Sequence, residues 1–483
     1  MPQLANDVVL KLSGRNCEKY GDFARVIRYL ACGGQGEVYL VRTEKRQDMA
    51  VKWYFQRNAI EELSRDIREL IQRGAPRNDP NFVWPLAYVT HDGNPSFGYL
   101  MEFIDTGTYK KIGAVIQEAD NGGRTAPPWL SFPVLCELSY QICTSYRNLH
   151  LSGFCYRDVN EGNVLIDVQN GGIKICDNDN VAINRGVRSN HILGTWAYMA
   201  PEVARLDNPP SASSDLHSLA VFLFKIWCYH GPFDGLKNEY RNLSRDNASN
   251  MKIAQNPGPF IFHPTDHTNH LPKDGSGEYI LGYARPAYLW KDRVPSDLKN
   301  MFCRVFIDGL NNPENRPPID EWRRLFLNLQ ERILFCPHCK ERQSHRKHLI
   351  IWDPKCSCDA CGHSLKGTPH AILTMGNVPI PFVTSPSPKI PGKTKLYLRH
   401  VKRNNFLANQ NDRDPQWDVV IGEFQESTKH PGSIKLVNIS SRPWTVTYQK
   451  QISNVDPGKG VTLMDNMLLT IEEMAIRVST VTT

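Results

Sequence analysis

The stretch FCYRDVNEGNVLID, Phe154 to Asp167, narrows the folds open to this chain more than any other. It sets a basic residue, Arg157, a carboxylate, Asp158, and five residues further on a carboxamide, Asn163, between two apolar runs. Upstream, VLCELSYQICTSYRNLHLSG has the spacing of an amphipathic helix. Downstream, NVLIDVQNGGIKICD reads as two short strands around Asn-Gly-Gly, a hairpin signal. A helix, a polar loop and a hairpin therefore follow one another. The loop is either an active site or a plain polar turn, and the rest of the chain decides which.

Before it, VIRYLACGGQGEVYLVR enters a Gly-rich turn on one apolar strand and leaves it on another that alternates polar and apolar residues. MAVKWYF is a third strand with Lys52 embedded in it. In AIEELSRDIRELIQRG, Ile60, Leu63, Ile67, Leu70 and Ile71 recur at helical spacing, with Gly74 at the expected stop. FVWPLAYV and SFGYLMEFI read as two more strands. A small β-rich lobe with one helix thus spans residues 22–104, and residues 1–21 read as a lead-in.

The pattern then turns helical through residue 335. SDLHSLAVFLFKIWCYHG is apolar on most sides and reads as a buried helix. PSDLKNMFCRVF and IDEWRRLFLNLQERILF close this region, and residues 234–292, dense in Pro, Asn and Asp, read as an irregular insertion. After a cysteine segment at 336–366, the Pro-rich stretch 367–394 has little periodicity and reads as a linker. Residues 395–483 break into short β-type runs such as WDVVIGEF, SIKLVNIS and WTVTYQK, the pattern of a small β-sandwich.

At 483 residues the expectation is two or three domains. A net charge of +7, from 57 basic and 50 acidic residues with no dense Lys/Arg block, argues against a nucleic-acid partner. The start carries Asp7 and Lys11 inside any apolar core and does not read as a secretory signal. The longest apolar run is interrupted by Lys225 and is too short for a membrane span, so a cytoplasmic protein with no membrane partner is expected. Of thirteen cysteines, Cys336, Cys339, Cys356, Cys358 and Cys361 share one short segment. That is metal-site clustering in a reducing compartment rather than a disulfide framework. Cys336, Cys339, Cys358 and Cys361 form C-x-x-C…C-x-x-C with eighteen residues between, and four thiolates suit a closed structural zinc site. Cys356 is an alternative to Cys358, and His338 and His363 are weaker substitutes.

In this order the motifs resemble a eukaryotic-type (Hanks-type) protein kinase of bacterial origin from about Asp22 to Phe335. The resemblance implies an α+β, bilobal protein kinase fold, with ATP and Mg2+ as cofactors and a protein substrate. ACGGQGEV matches the loop that covers the phosphates, with Gly33, Gly34, Gly36 and Val38 present and Ala31 in place of the first glycine. Lys52 matches the strand lysine on the α- and β-phosphates. Its implied helix partner is Glu69, which fits the distance best, or Glu62 one face-repeat earlier. Glu102 and Phe103 occupy the hinge that holds the adenine.

YRDVNEGN then matches the catalytic loop: Asp158 as the base, Asn163 as a magnesium ligand and Arg157 as the arginine before the base. Asp177 stands at the aspartate of D-F-G. GTWAYMAPE supplies Thr195 and Glu202, Asp215 matches the buried aspartate that ties down the catalytic loop, and Arg316 matches the arginine that pairs with Glu202. Two departures stand out. Asn160 replaces the usual lysine, and Asn178 and Asp179 replace the Phe and Gly of D-F-G. The expectation is a working serine/threonine kinase, the rival being a pseudokinase scaffold that binds nucleotide without transferring phosphate. Ser189, beside Arg185 and Arg188, is the candidate phosphosite whose charge Arg157 would meet.

The tail resembles a degenerate forkhead-associated domain without the phosphate-binding Arg and Ser-x-x-His, or else another β-sandwich. ELIQRGAP and FIFHPTDHTNHLP, with the ribbon that follows, resemble a bacterial kinase group of stress and tellurite-resistance systems. That resemblance implies a von Willebrand A-type protein and a protein phosphatase as partners.

Overall fold

The alternation in VLKLS, Val9 to Ser13, does what a period of two dictates. Leu10 and Leu12 turn inward and Val9 and Lys11 outward. In the computed structural model this strand, β1, is part of a closed barrel and not a lead-in. The structure describes residues 2–121, 130, 132–167, 171–183, 194–237, 247–280, 282–331, 333–335, 349–351, 370–375, 378–383, 395–402, 406, 415–428, 430 and 433–481. It divides into two units, Met1–Arg323 and Arg324–Thr483.

In the first unit, β1 is followed by a short helix α1 (Cys17–Tyr20), β2 (Phe23–Cys32), β3 (Gly36–Thr43), β4 (Asp48–Tyr54), helix α2 (Glu61–Arg73), β5 (Ala87–Thr90) and β6 (Phe97–Glu102). The barrel order is β1-β2-β3-β4-β6-β5, and β1 closes it by pairing antiparallel with both β2 and β5. Leu10 and Leu12 join Val26, Tyr39, Val51 and Trp53 in the barrel core. Each such buried leucine stabilises by roughly 1.5–3 kcal/mol. Helix α2 buries Ile67, Leu70 and Ile71 and ends at Gly74 with φ 75°, as its spacing predicts.

The chain continues through β7 (Tyr109–Lys111), α3 (Ile112–Asn121), α4 (Phe132–Leu151), β8 (Phe154–Cys155), β9 (Val164–Asp167), β10 (Ile173–Ile175) and β11 (Ala182–Ile183). The expected hairpin is β9–β10, with Ile166 opposite Ile173. Then come α5 (Pro201–Ala204), α6 (Ala212–Cys228), α7 (Asn247–Gln255), α8 (Ala284–Asp292), α9 (Ser296–Cys303) and α10 (Ile319–Glu331). Helix α6 is buried on most sides and starts on a Ser211–Ser214 capping box. The stretch 234–292 carries two helices among its described residues, α7 and α8, where its composition suggests none. Its Phe260, Phe262 and Trp290 pack with Phe224 of α6, Phe262 stacking on Trp290 at 4.6 Å. Aromatic anchors divided between a loop, which holds Phe260 and Phe262, and a short helix, which holds Trp290, leave no periodic signature, which is why the stretch reads as irregular.

In the second unit the described strands form a six-stranded sheet, a four-stranded sheet and a two-stranded pair, Ile333–Phe335 with Leu349–Ile351. Residues from the two larger sheets share one apolar core, in which Phe382 stacks on Phe424 at 4.2 Å. The expected linker 367–394 needs correction. His370–Met375 and Val378–Val383 pair as a hairpin, and the first also pairs with Met474–Val481. Val378–Val383 is an edge strand, where Pro379 and Pro381 are tolerated because one row of N–H groups needs no partner.

Cys336, Cys339, Cys356, Cys358, Cys361 and Ser189 lie outside the described residues. Among the described residues no group of three or more His, Cys, Asp or Glu is placed to hold a metal ion. No described helix is long and apolar enough to cross a membrane.

Candidate active site

Strand β4 delivers Lys52 to the barrel wall, opposite Val38 on one side and Tyr99 on the other. The lysine is buried, and its Nζ lies 3.2 Å from Asp177 Oδ1, 2.8 Å from Asp179 Oδ2 and 3.5 Å from Gln35 Oε1. Burial would lower the lysine's pKa, but the charges of Asp179 and Asp177 prevail and raise it, so it stays an ammonium. The expected pairing with Glu69 does not occur. Glu69 sits half-exposed on α2 and binds Arg73, one turn on, at 3.1 Å. The carboxylates at Lys52 come from the segment after β10, so the helix-partner expectation is corrected.

That segment replaces D-F-G with Asp177-Asn178-Asp179. Asp177 adopts a left-handed φ of 53° and remains about half-exposed. Asn178 is fully buried and donates both hydrogens of its amide nitrogen, to Val83 O and Ile175 O at 2.8 Å each. A polar plug thus fills the place of an apolar one. Asp179, read in the sequence as a lost glycine, is a buried carboxylate that accepts from Lys52, from Tyr54 OH at 2.5 Å and from Tyr99 OH at 3.4 Å. Burial alone would raise its pKa; the charge and hydrogen bond of Lys52, with the bond from Tyr54, hold it below the usual carboxylate value.

The catalytic loop is anchored from below. Asp215, near the start of α6, accepts from Tyr156 N at 2.7 Å, Arg157 N at 3.2 Å and His150 Nε2 at 3.0 Å. Tyr156, standing where the family has a histidine, donates its hydroxyl to the Cys176 carbonyl and so links the loop to Asp177. Arg157 donates to Asn180 O at 2.9 Å.

Asp158 is held on both oxygens. Oδ1 accepts from Thr195 N at 2.9 Å and Thr195 Oγ1 at 2.7 Å; Oδ2 accepts from Asn163 Nδ2 at 3.2 Å and Asn180 Nδ2 at 3.4 Å. Asn160 also reaches Thr195 Oγ1, at 3.3 Å. Gly194 permits this approach: its φ is 84°, and a Cβ there would meet Arg157 O at 2.5 Å. Farther back, Glu202 and Arg316 form the expected pair, bidentate and buried.

In the Gly-rich turn, Gly33 N donates to Gly36 O at 2.8 Å, and a Cβ on Gly36 would meet Trp53 O at 2.2 Å. Gly33 and Gly34 are exposed, and Val38 lies beside Lys52 in the paired strand. At the end of β6 Glu102 binds Lys174 at 2.7 Å, and Phe103 follows. Asp177 and Asn163 offer a carboxylate and an amide oxygen, the hard donors that magnesium takes. Asn163 spends its amide nitrogen on Asp158, which leaves Oδ1 for a metal. The residues present fit the ion.

A family model described as protein kinase domain matches residues 25–307, more than half of the chain. The serine/threonine-protein kinase SCH9 of Saccharomyces cerevisiae is 25% identical over 245 residues, which is 49% of this chain and 28% of that protein. Serine/threonine-protein kinase PknD of Chlamydia felis is 22% identical over 258 residues, 47% of this chain and 26% of that protein. Serine/threonine-protein kinase AfsK of Streptomyces griseus is 27% identical over 232 residues, 47% of this chain and 27% of that protein. The chain spans little more than a quarter of the length of these curated relatives.

Proposed function

The chain belongs to the protein kinase domain family, and from that premise we propose that it is an ATP-dependent protein kinase. It transfers the γ-phosphate to Ser/Thr hydroxyls of a protein substrate and of itself, within a bacterial signalling or stress-response system. The observation that carries this reading is the convergence of Lys52 from β4, Asp158 and Asn163 from the loop between β8 and β9, and Asp177 from the segment after β10. Lys52 stands 3.2 Å from Asp177 and Asn163 stands 3.2 Å from Asp158.

In this reading Asp158 orients the substrate hydroxyl and takes its proton as phosphoryl transfer proceeds. Lys52 pairs with the nucleotide phosphates, and Gly33, Gly34 and Gly36 let backbone amides approach them. Val38, Glu102 and Phe103 border the adenine. Asn163 and Asp177 would hold magnesium, whose chemistry there would be the neutralisation of phosphate charge. The serine/threonine assignment is supported by the relatives, each a serine/threonine-protein kinase, and by Thr195 bonded to the base.

Around this core, the reading places a structural zinc on Cys336, Cys339, Cys361 and either Cys358 or Cys356. It gives the β-rich C-terminal part a partner-binding role and puts the protein in the cytoplasm. A von Willebrand A-type protein and a protein phosphatase are the proposed partners, and Ser189 the proposed phosphosite. The alternative, a pseudokinase scaffold, draws on Asn160 and Asp179 standing where a lysine and a glycine are usual.

The deciding experiment incubates purified protein with labelled Mg-ATP and candidate partner proteins, beside Asp158→Ala and Lys52→Ala. Label on Ser or Thr that is lost in both variants supports the kinase. Nucleotide binding with no transfer, with or without partners, supports the scaffold.

A further inference from the structure

Asp179 is a buried acid for which the kinase reading has no role. Its carboxylate is 1% exposed as a side chain and gathers three donors from the barrel wall. Lys52 and Tyr54 are two residues apart on β4 and so face the same way, and Tyr99 lies opposite Lys52 on β6. The barrel therefore presents one ammonium and two phenols to a single acid that arrives from a segment 80 to 127 residues later. A buried carboxylate persists only when it is paired and hydrogen-bonded, and a buried ammonium has the same need. Each meets the other's requirement. Meanwhile Glu69, the helix residue at the distance suited to Lys52, is occupied by Arg73 at the surface.

We infer that Asp179 is the counter-ion that positions Lys52, so that the lysine is set by the Asp177–Asp179 segment rather than by a glutamate on α2. Asp179 is a positioning residue: it acts through Lys52. Asp177 is thereby freed for other work, because Lys52 has a second, nearer acid at 2.8 Å to hold it while Asp177 stays half-exposed. The departure from glycine at 179 is a compensation for the helix partner and not a lesion. The catalytic consequence rests on the kinase reading above; the counter-ion assignment does not.

The test measures acetylation of Lys52 by acetic anhydride at pH 8 without nucleotide, followed by peptide mass spectrometry, in the full chain and in Asp179→Asn, Asp179→Glu, Glu69→Gln and Glu62→Gln. Without the anchoring carboxylate at 2.8 Å the amine is no longer held against the barrel wall and becomes accessible to the reagent. Asp179→Asn is expected to raise the Lys52 rate tenfold or more relative to surface lysines, with Asp179→Glu restoring much of the protection. Both α2 variants are expected to stay within twofold. In the transfer assay, Asp179→Asn raises KM for Mg-ATP more than it lowers kcat.

Unchanged Lys52 reactivity in a folded Asp179→Asn variant overturns the assignment. So does a tenfold rise in Glu69→Gln or Glu62→Gln, and these half-exposed positions keep the test valid if Asp179→Asn does not fold. A tenfold rise in Asp179→Asn alone, with a parent that transfers no phosphate, upholds the counter-ion and removes the kinase reading instead.

Discussion

Two guanidinium nitrogens of Arg316 donate to the two carboxylate oxygens of Glu202, at 2.7 and 2.8 Å, with both side chains buried. The pair ties α5, which follows the Thr195 segment, to the loop before α10. Arg316 also donates to Gly309 O at 2.9 Å and Ser213 O at 3.1 Å, so it closes several backbone ends at once. Arg316→Met leaves an uncompensated buried carboxylate, and a loss of about 3–5 kcal/mol is expected in urea unfolding. Glu202→Met with Arg316→Met is expected to recover part of that loss, because the stranded charge is gone.

Gly194 is needed for two reasons, its positive φ and the 2.5 Å approach a Cβ would make to Arg157 O. Gly194→Ala is expected to push Thr195 away from Asp158 while most of the fold survives. Phosphate transfer should fall at least tenfold with an unfolding midpoint within a few degrees of the parent. A variant with parental rate would show that the Thr195–Asp158 contact is dispensable.

His217 on α6 carries a pH prediction. Burial first, and then the nearby Arg316 charge, push its pKa well below the ordinary value of 6.5, so it stays neutral in the fold. The unfolded chain takes up a proton below about pH 6.5 that the folded chain refuses. Stability is therefore fully present above that pH and declines as pH falls below it, by up to about 1.4 kcal/mol per unit. His217→Phe, which keeps a ring against Phe233 and Phe306, should flatten that part of the stability-versus-pH profile. An unchanged slope between pH 6.5 and 5 would count against the assignment.

Zinc content tests the cysteine motif separately. One zinc per chain is expected by elemental analysis, with loss in Cys336→Ser and Cys361→Ser. Four thiolates leave no open coordination position, so chelation should lower stability without ending phosphate transfer. Purified protein with no zinc would dismiss the site.

Much of the first unit is legible from short windows of sequence. The hairpin β9–β10, the helix α2 and the catalytic loop each declare themselves through turn residues or spacing over a dozen positions. The Glu202–Arg316 and Asp215 contacts become legible only through family resemblance, since 114 residues separate the first pair. The Asp179–Lys52 pair escaped even that, because the resemblance points to a glycine at 179 and a glutamate on the helix. Lys52 is satisfied by whichever acid the tertiary fold brings nearest, and no local pattern records that choice. The strand Val9–Ser13 alternates plainly enough, but barrel closure depends on β5, more than seventy residues away. Pro379 and Pro381 hid an edge strand behind the composition of a linker.

The central claim is that this cleft transfers phosphate, and its most direct test is transfer of label from γ-labelled Mg-ATP to protein by the full chain and by Asp158→Asn. This exchange keeps the size of Asp158 and one acceptor oxygen while removing the base. The account predicts Ser/Thr-bound label from the parent, reduced at least a hundredfold in the variant, with nucleotide binding little changed. Equal transfer by both proteins, or none by the parent in the presence of its partners, would contradict it.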